Sequence, residues 1–304
     1  MSNQVEYFYN QGNSYRALGQ HQLAIKAYEK AIELDPNKAE AYNNRGNSYD
    51  DLGWHQSAIE DYCKATALAP NYAVAFYNRG NSYDTLGQYP RAIDDYGSAI
   101  ELDPNDAEAY NNRGNCYRAQ GQYQRAIADY DKAIELDPYD ALYFNNRGIV
   151  YRVIGQYQRS IKDYDKAIEL RPDAGRYFYN RGNAYRGLSY HQRAIEDYNK
   201  SIKLDPNEAA SYNNRGSSYD ELGQHKRAIE DYDKAIELAS GVARYFYNRG
   251  NSYKALGLHE CATKDYDKAT ELASNKTEAS GNRQGDAGAN ESLSEDGYIE
   301  DIRI

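Results

Sequence analysis

The chain has 304 residues and a formal net charge of −10, with 34 Tyr against 5 Phe, 1 Trp and 1 Met. An acidic surface is repelled by nucleic acid and by anionic lipid, so both are poor partners for it as a whole. A mean hydropathy of −0.97 is low for a single large core and suits a repeat architecture with many thin core layers.

Residues 1–4 read as a short N-terminal extension. Met1 to Glu6 is polar and lacks the apolar region of a secretory signal. No run of about 18 apolar residues exists, so no membrane span is expected. The cysteines, Cys63, Cys116 and Cys261, are odd in number and unpaired in spacing, which suits a reducing compartment, most simply the cytoplasm.

From residue 5 a period of 34 runs without insertion: Gly12, Gly46, Gly80, Gly114, Gly148, Gly182, Gly216 and Gly250. Tyr follows each by three residues, and a second Tyr series runs from Tyr28 to Tyr266. With this Gly as position 8, the repeats are 5–38, 39–72, 73–106, 107–140, 141–174, 175–208, 209–242 and 243–276. Each predicts two helices. Tyr42, Gly46 and Tyr49, at positions 4, 8 and 11, share one helical face, and Gly53 at position 15 stops that helix. In the second helix Ala126, Ile127, Tyr130, Ala133, Ile134 and Leu136 form the buried face, and Asp137-Pro138 ends it. Eight such pairs predict about 70% helix and no strand.

Aromatic-4, Gly-8, Tyr-11, Ala-20, aromatic-24, Ala-27 and Pro-32 together resemble the tetratricopeptide repeat (TPR) family. The resemblance covers residues 5–276 and implies an all-α, right-handed superhelical solenoid of eight 34-residue helix-turn-helix repeats with a concave groove. Its implied function is a protein–protein interaction scaffold that binds an extended peptide.

Arg stands at position 7 and Asp at position 23 in seven repeats, and the first repeat alone breaks both, with Gln11 and Ala27. The joint change predicts a contact such as Arg113–Asp129. In the last repeat Thr263 and Thr270 replace Ile, as expected where no neighbour packs. Residues 277–304 carry an acidic excess and read as a disordered tail, although Tyr298, Ile299, Ile302 and Ile304 give its end an apolar character that can dock on the repeats.

His21, His55, His191, His225 and His259 all fall at position 17, where other repeats have Tyr. A flat ring, not a metal ligand, is the reading. No Walker loop, dinucleotide fingerprint, nucleophile elbow or HExxH is present. Neither catalysis nor a cofactor is expected.

The resemblance assigns the groove to positions 2, 5, 6, 9, 12 and 13. Position 6 is Asn throughout: Asn10, Asn44, Asn78, Asn112, Asn146, Asn180, Asn214 and Asn248. Position 9 is Asn in six repeats, Asn115 and Asn183 among them. Such a row on an exposed face predicts amides that hold a peptide backbone, and it resembles the asparagine ladder in the repeats of O-linked N-acetylglucosamine transferases. Charge varies along the groove. Glu40, Asp50, Asp51 and Asp84 are acidic, Arg118, Arg152, Arg176 and Arg186 basic, and Asp220 and Glu221 acidic again. Leu142, Ile149 and Val153 add an apolar stretch. An acidic segment with an apolar anchor is the expected ligand. The alternative is a co-chaperone-like carboxylate clamp for the acidic C-termini of heat-shock chaperones, for which Asn115, Asn146 and Arg176, or Asn183, Asn214 and Arg244, match three of five positions. The sequence leaves the oligomeric state open.

Overall fold

The computed structural model describes residues 2–281, with side chains from residue 3 to residue 275. These form sixteen helices and no strand. In order they are α1 Ser2–Ala17, α2 His21–Leu34, α3 Ala39–Asp51, α4 His55–Leu68, α5 Ala73–Thr85, α6 Tyr89–Leu102, α7 Ala107–Ala119, α8 Tyr123–Leu136, α9 Ala141–Val153, α10 Tyr157–Leu170, α11 Gly175–Gly187, α12 His191–Leu204, α13 Ala209–Glu221, α14 His225–Leu238, α15 Ala243–Ala255 and α16 His259–Gly281. Odd and even helices pair into a solenoid, each touching its neighbours in sequence. Successive odd helices also touch, while successive even ones do not. The stack therefore curves with the odd helices on its inner, concave side.

The period follows from one steric fit. Tyr130 at position 24 is fully buried, and a Cβ added to Gly114 would lie 2.8 Å from its Cε1. Only Gly lets the ring into the helix pair. The Tyr at position 24 is buried in this way in every repeat except the last, where Tyr266 keeps partial exposure. Ala126 and Ala133 are also fully buried, whereas Ile127, Ile134 and Leu136 are half-buried, so the packed face is narrower than the sequence predicts.

Position 15 closes the first helix with paired bonds typical of a glycine-ended helix: Gly121 N–H donates to the Arg118 carbonyl (3.0 Å) and Gln122 N–H to that of Tyr117 (2.8 Å). The glycine takes a φ near +70° in every repeat but one. In that one, Ser189 holds the same turn at φ 59°, a conformation disfavoured for a residue with a Cβ. Ser189→Gly should raise stability by about 0.5–1 kcal/mol. A urea midpoint that fails to rise would contradict the strain.

Four of the second helices end at Asp-Pro, as predicted for Asp137-Pro138, and there the Asp caps the turn: Asp137 Oδ1 accepts from Tyr139 N–H (3.0 Å). The last helix differs. Ser274 replaces that Pro, and α16 runs for 23 residues to Gly281, so the first residues of the stretch read as a disordered tail are helical. Thr263 and Thr270 are exposed and donate to carbonyls of their own helix. The rest of the tail, with its apolar end, lies outside the described residues.

Arg-7 and Asp-23 meet in all seven repeats that carry them. Arg113 donates from Nε and Nη2 to the two oxygens of Asp129, both at 2.8 Å. The Asp carboxylates are buried.

Candidate groove on the concave face

The concave face is built from the odd helices. The position-6 asparagines lie on it, but their amides face sideways into the neighbouring repeat. Asn44 Nδ2 donates to Tyr9 Oη and to Asn13 Oδ1, both at 3.0 Å. Asn78 Nδ2 donates to Asn43 Oδ1 (3.0 Å). Asn112 donates to Tyr77 Oη (3.1 Å) and Asn214 to Tyr179 Oη (3.1 Å). Asn146, Asn180 and Asn248 each donate at 2.9 Å to Oδ1 of Asn111, Asn145 and Asn213. Position 6 of each repeat thus bonds to position 5 of the one before. Where position 5 is Asn, its own amide continues the relay, as Asn111 does to Asn112 Oδ1 (3.1 Å).

This corrects the expectation of an exposed amide row. Asn146 and Asn214 are buried, five of the others are half-buried, and only Asn10, which has no repeat before it, is exposed. The physical reason is geometric: successive odd helices touch, so a short polar side chain between them reaches a neighbour before it reaches a ligand. The same bonds engage the asparagines at the centre of both possible carboxylate clamps, Asn146 and Asn214. Arg176, the charged companion of Asn146, is exposed and lies over the Tyr177 ring, 5.1 Å from its centroid.

Position 9 is arranged differently. Asn115 Oδ1 accepts from Tyr130 Oη (2.8 Å) and Asn183 Oδ1 from Tyr198 Oη (2.7 Å). Among the described residues, Nδ2 of Asn115 has no acceptor.

Position 12 carries the charge pattern. The acids are engaged internally. Asp50 accepts from Tyr62 Oη (2.9 Å) and Ser82 Oγ (2.7 Å) and lies 2.9 Å from His55 Nδ1. Asp220 makes the same set with Tyr232, Ser252 and His225. Burial pushes the Asp84 carboxyl up, and the Cys116 thiol donates to it at 3.4 Å. At position 13, Asp51 pairs with Arg16 at 3.2 Å. By contrast, no carboxylate among the described residues lies within ion-pairing distance of Arg118 or Arg186, and Arg118 Nε is buried without a hydrogen-bond partner. At position 12 the middle of the groove is cationic, between acids that are engaged internally.

At position 17, His55 and His225 thus reach the Asp five residues earlier, while His21 Nδ1 lies 3.2 Å from Asp51 Oδ2 of the next repeat. No three His, Cys, Asp or Glu side chains come together to hold a metal among the described residues. No helix there is long and apolar enough to cross a membrane.

Comparison with known proteins agrees with this architecture. Tetratricopeptide repeat models match residues 39–72, 77–141, 141–174, 175–208, 209–241 and 243–276, and a TPR repeat model matches residues 12–53. No curated protein matches the chain. Among solved structures, MamA is 30% identical, with 54% of this chain and 96% of that one covered and a TM-score of 0.51. MamA from Desulfovibrio magneticus RS-1 is 26% identical over 55% of this chain and 94% of that one, with a TM-score of 0.52. A tetratricopeptide repeat protein from Parabacteroides merdae shares the fold at 21% identity over 86% of this chain and 99% of that one, TM-score 0.62. The fold, its repeat pattern and these matches are those of a protein-interaction scaffold, and the chain belongs to the tetratricopeptide repeat family.

Proposed function

We propose that the concave groove binds an extended acidic peptide segment of another protein, with Arg118, Arg152 and Arg186 as its charged contacts. The carrying observation is the mismatch in pairing at position 12: Asp50, Asp84 and Asp220 are held by internal donors, while Arg118 and Arg186 lack a carboxylate within ion-pairing distance among the described residues. Desolvated guanidinium groups bind carboxylates strongly and in a fixed geometry. Asn115 and Asn183, whose carbonyl oxygens are held by tyrosines, turn their amide N–H groups to the peptide's carbonyls. Leu142, Ile149 and Val153 supply an apolar surface beside the arginines for a hydrophobic side chain. Position 6 supports the groove by fixing one repeat to the next.

The test is fluorescence anisotropy with a labelled acidic peptide containing one Leu or Ile. Arg118→Glu should weaken binding at least tenfold, and wild-type affinity should fall with added salt. Asn146→Ala should leave affinity nearly unchanged but lower stability by about 1–3 kcal/mol, since it strips the buried Asn111 oxygen of its donor. An affinity indifferent to Arg118→Glu and to salt would refute the groove assignment.

A further inference from the structure

The two ends of the solenoid carry the two halves of one junction. Among the described residues α1 touches only α2 and α3, and α16 only α15, so each terminal repeat has an open face. On the first repeat that face carries Tyr7, Asn10 and Ser14, at positions 3, 6 and 10. Positions 3 and 10 are buried in every later repeat, yet Tyr7 is 61% exposed and Ser14 is exposed as well. The open face of the last repeat carries the acceptors that position 6 uses. Where Tyr stands at position 5 and Asn at position 9, the Asn of the next repeat donates to both. Asn44 does so to Tyr9 and Asn13, both at 3.0 Å, and Asn214 to Tyr179 and Asn183 at 3.1 and 2.9 Å. Tyr247 and Asn251 are this pair again, at the end of the repeats. Asn251 Oδ1 accepts from Tyr266 Oη (2.9 Å), as Asn13 does from Tyr28 (2.7 Å). The Tyr247 ring leans on Tyr266 at 5.7 Å and 48°, as Tyr9 leans on Tyr28 at 6.1 Å and 52°. The acceptor pair is therefore set in place before any donor arrives.

We infer that a second copy of this chain docks head to tail on the last repeat, its Asn10 donating to Tyr247 Oη and Asn251 Oδ1. The apolar contacts agree. Tyr177, at the position of Tyr7, is buried in a cluster with Ala141, Phe144 and Ala167 of the repeat before. The last repeat has Ala243, Phe246 and Ala269 in those places. Thr270 does not bar the contact. Thr66, its equivalent in the second repeat, is buried in an inner junction, and each of these hydroxyls donates to its own helix at 2.9 Å. Ser14 donates to the Asn10 carbonyl (2.9 Å), as Ser48 and Ser218 do to Asn44 and Asn214. Those two serines follow a repeat with a basic residue at position 12, Arg16 or Arg186, and the last repeat has Lys254 there. Two features make the end junction weaker than the inner ones. Thr263 replaces an Ile, and Gln11 replaces the Arg that elsewhere bonds back to the preceding repeat, as Arg147 does to Asp131 (2.6 Å). The contact joins two different surfaces, so it builds a series or a ring of copies and not a two-fold dimer.

Sedimentation velocity on the full chain tests this. The weight-average mass should start at that of one chain, 34.6 kDa, and climb past that of a dimer as concentration rises. Tyr7→Glu blocks one face and Thr270→Glu the other. Both positions are exposed, and circular dichroism checks that each variant keeps its helices. Each variant alone should stay at the mass of one chain. An equimolar mixture of the two should stop at a dimer, because it holds one intact pair of faces. Asn10→Ala, which keeps both apolar surfaces, should weaken association about two- to tenfold through lost hydrogen bonds. A wild-type chain that stays monomeric up to its solubility limit, or that stops at a dimer, overturns the inference. So does a mixture of the two folded glutamate variants that fails to associate.

Discussion

Arg147→Ala should destabilise the protein by about 3–5 kcal/mol, the loss typical of a buried ion pair with one partner removed. Arg147 joins three helices. It donates from Nε and Nη2 to Asp163 at 2.9 and 2.6 Å, and from Nη1 to Asp131 of the preceding repeat at 2.6 Å. The rings of Phe144 and Tyr151 flank the guanidinium, 5.8 and 5.9 Å from it. Truncation leaves the Asp163 carboxylate, only 5% exposed, without its counter-charge. Arg147→Ala with Asp163→Ala should therefore cost less than the sum of the single changes. Charge makes the loss depend on pH. Burial already pushes the Asp163 carboxyl up, against the pull of Arg147. Without that pull its folded pKa rises farther above the unfolded value of about 3.9. A raised carboxyl pKa means the fold holds the proton more tightly, so stability is lost as pH rises through that value. Urea titrations should find the variant's deficit smaller at pH 5 than at pH 7.5. A deficit independent of pH, or larger in acid, would refute an uncompensated carboxylate.

Above pH 10 the protein should unfold cooperatively, and its buried phenols should ionise only as it does so. Burial pushes the hydroxyls of Tyr28 and Tyr164 up to about 12, and raises those of Tyr62, Tyr96, Tyr130, Tyr198 and Tyr232 as well. The folded values exceed the unfolded value of about 10. The fold therefore favours the neutral phenol, and the contribution is intact below pH 10 and lost as pH climbs through the folded values. Tyrosinate absorbance should rise in two phases. Phenols open to solvent ionise first, and the position-24 series follows in step with loss of helical circular dichroism. A single smooth titration with the helices intact would contradict the burial of this series.

The solenoid was legible in the sequence because each layer of the core is the same small fit, a ring against a glycine, repeated at a fixed period. The Arg-7/Asp-23 contact was legible for a related reason: the repeat with Gln11 lacks the acid as well, having Ala27. The amide relay was hidden by its own versatility. Position 5 is Tyr at Tyr9, Tyr77 and Tyr179 but Asn at Asn43, Asn111, Asn145 and Asn213. A phenol and an amide look unrelated as residues, yet each offers an oxygen to the asparagine of the next repeat. That restriction to two acceptors was the available signal. The extension of α16 takes more than the loss of a helix-stopping Pro: Ser240 stands at the same position as Ser274, yet α14 ends at Leu238, just before Ser240-Gly241.

Among the described residues each helix touches only its nearest neighbours along the stack, and no contact joins distant repeats. Under tension, load passes through the repeats in series, so the molecule is a spring, and the separation between Arg118, Arg152 and Arg186 is its pitch. Stretching the ends carries these three groups apart, while on the proposed function a peptide held across them opposes the extension. On the proposed function, binding and extension become two readings of a single coordinate: a peptide held across several repeats should stiffen the middle of the spring, and a pull on the spring should weaken its hold.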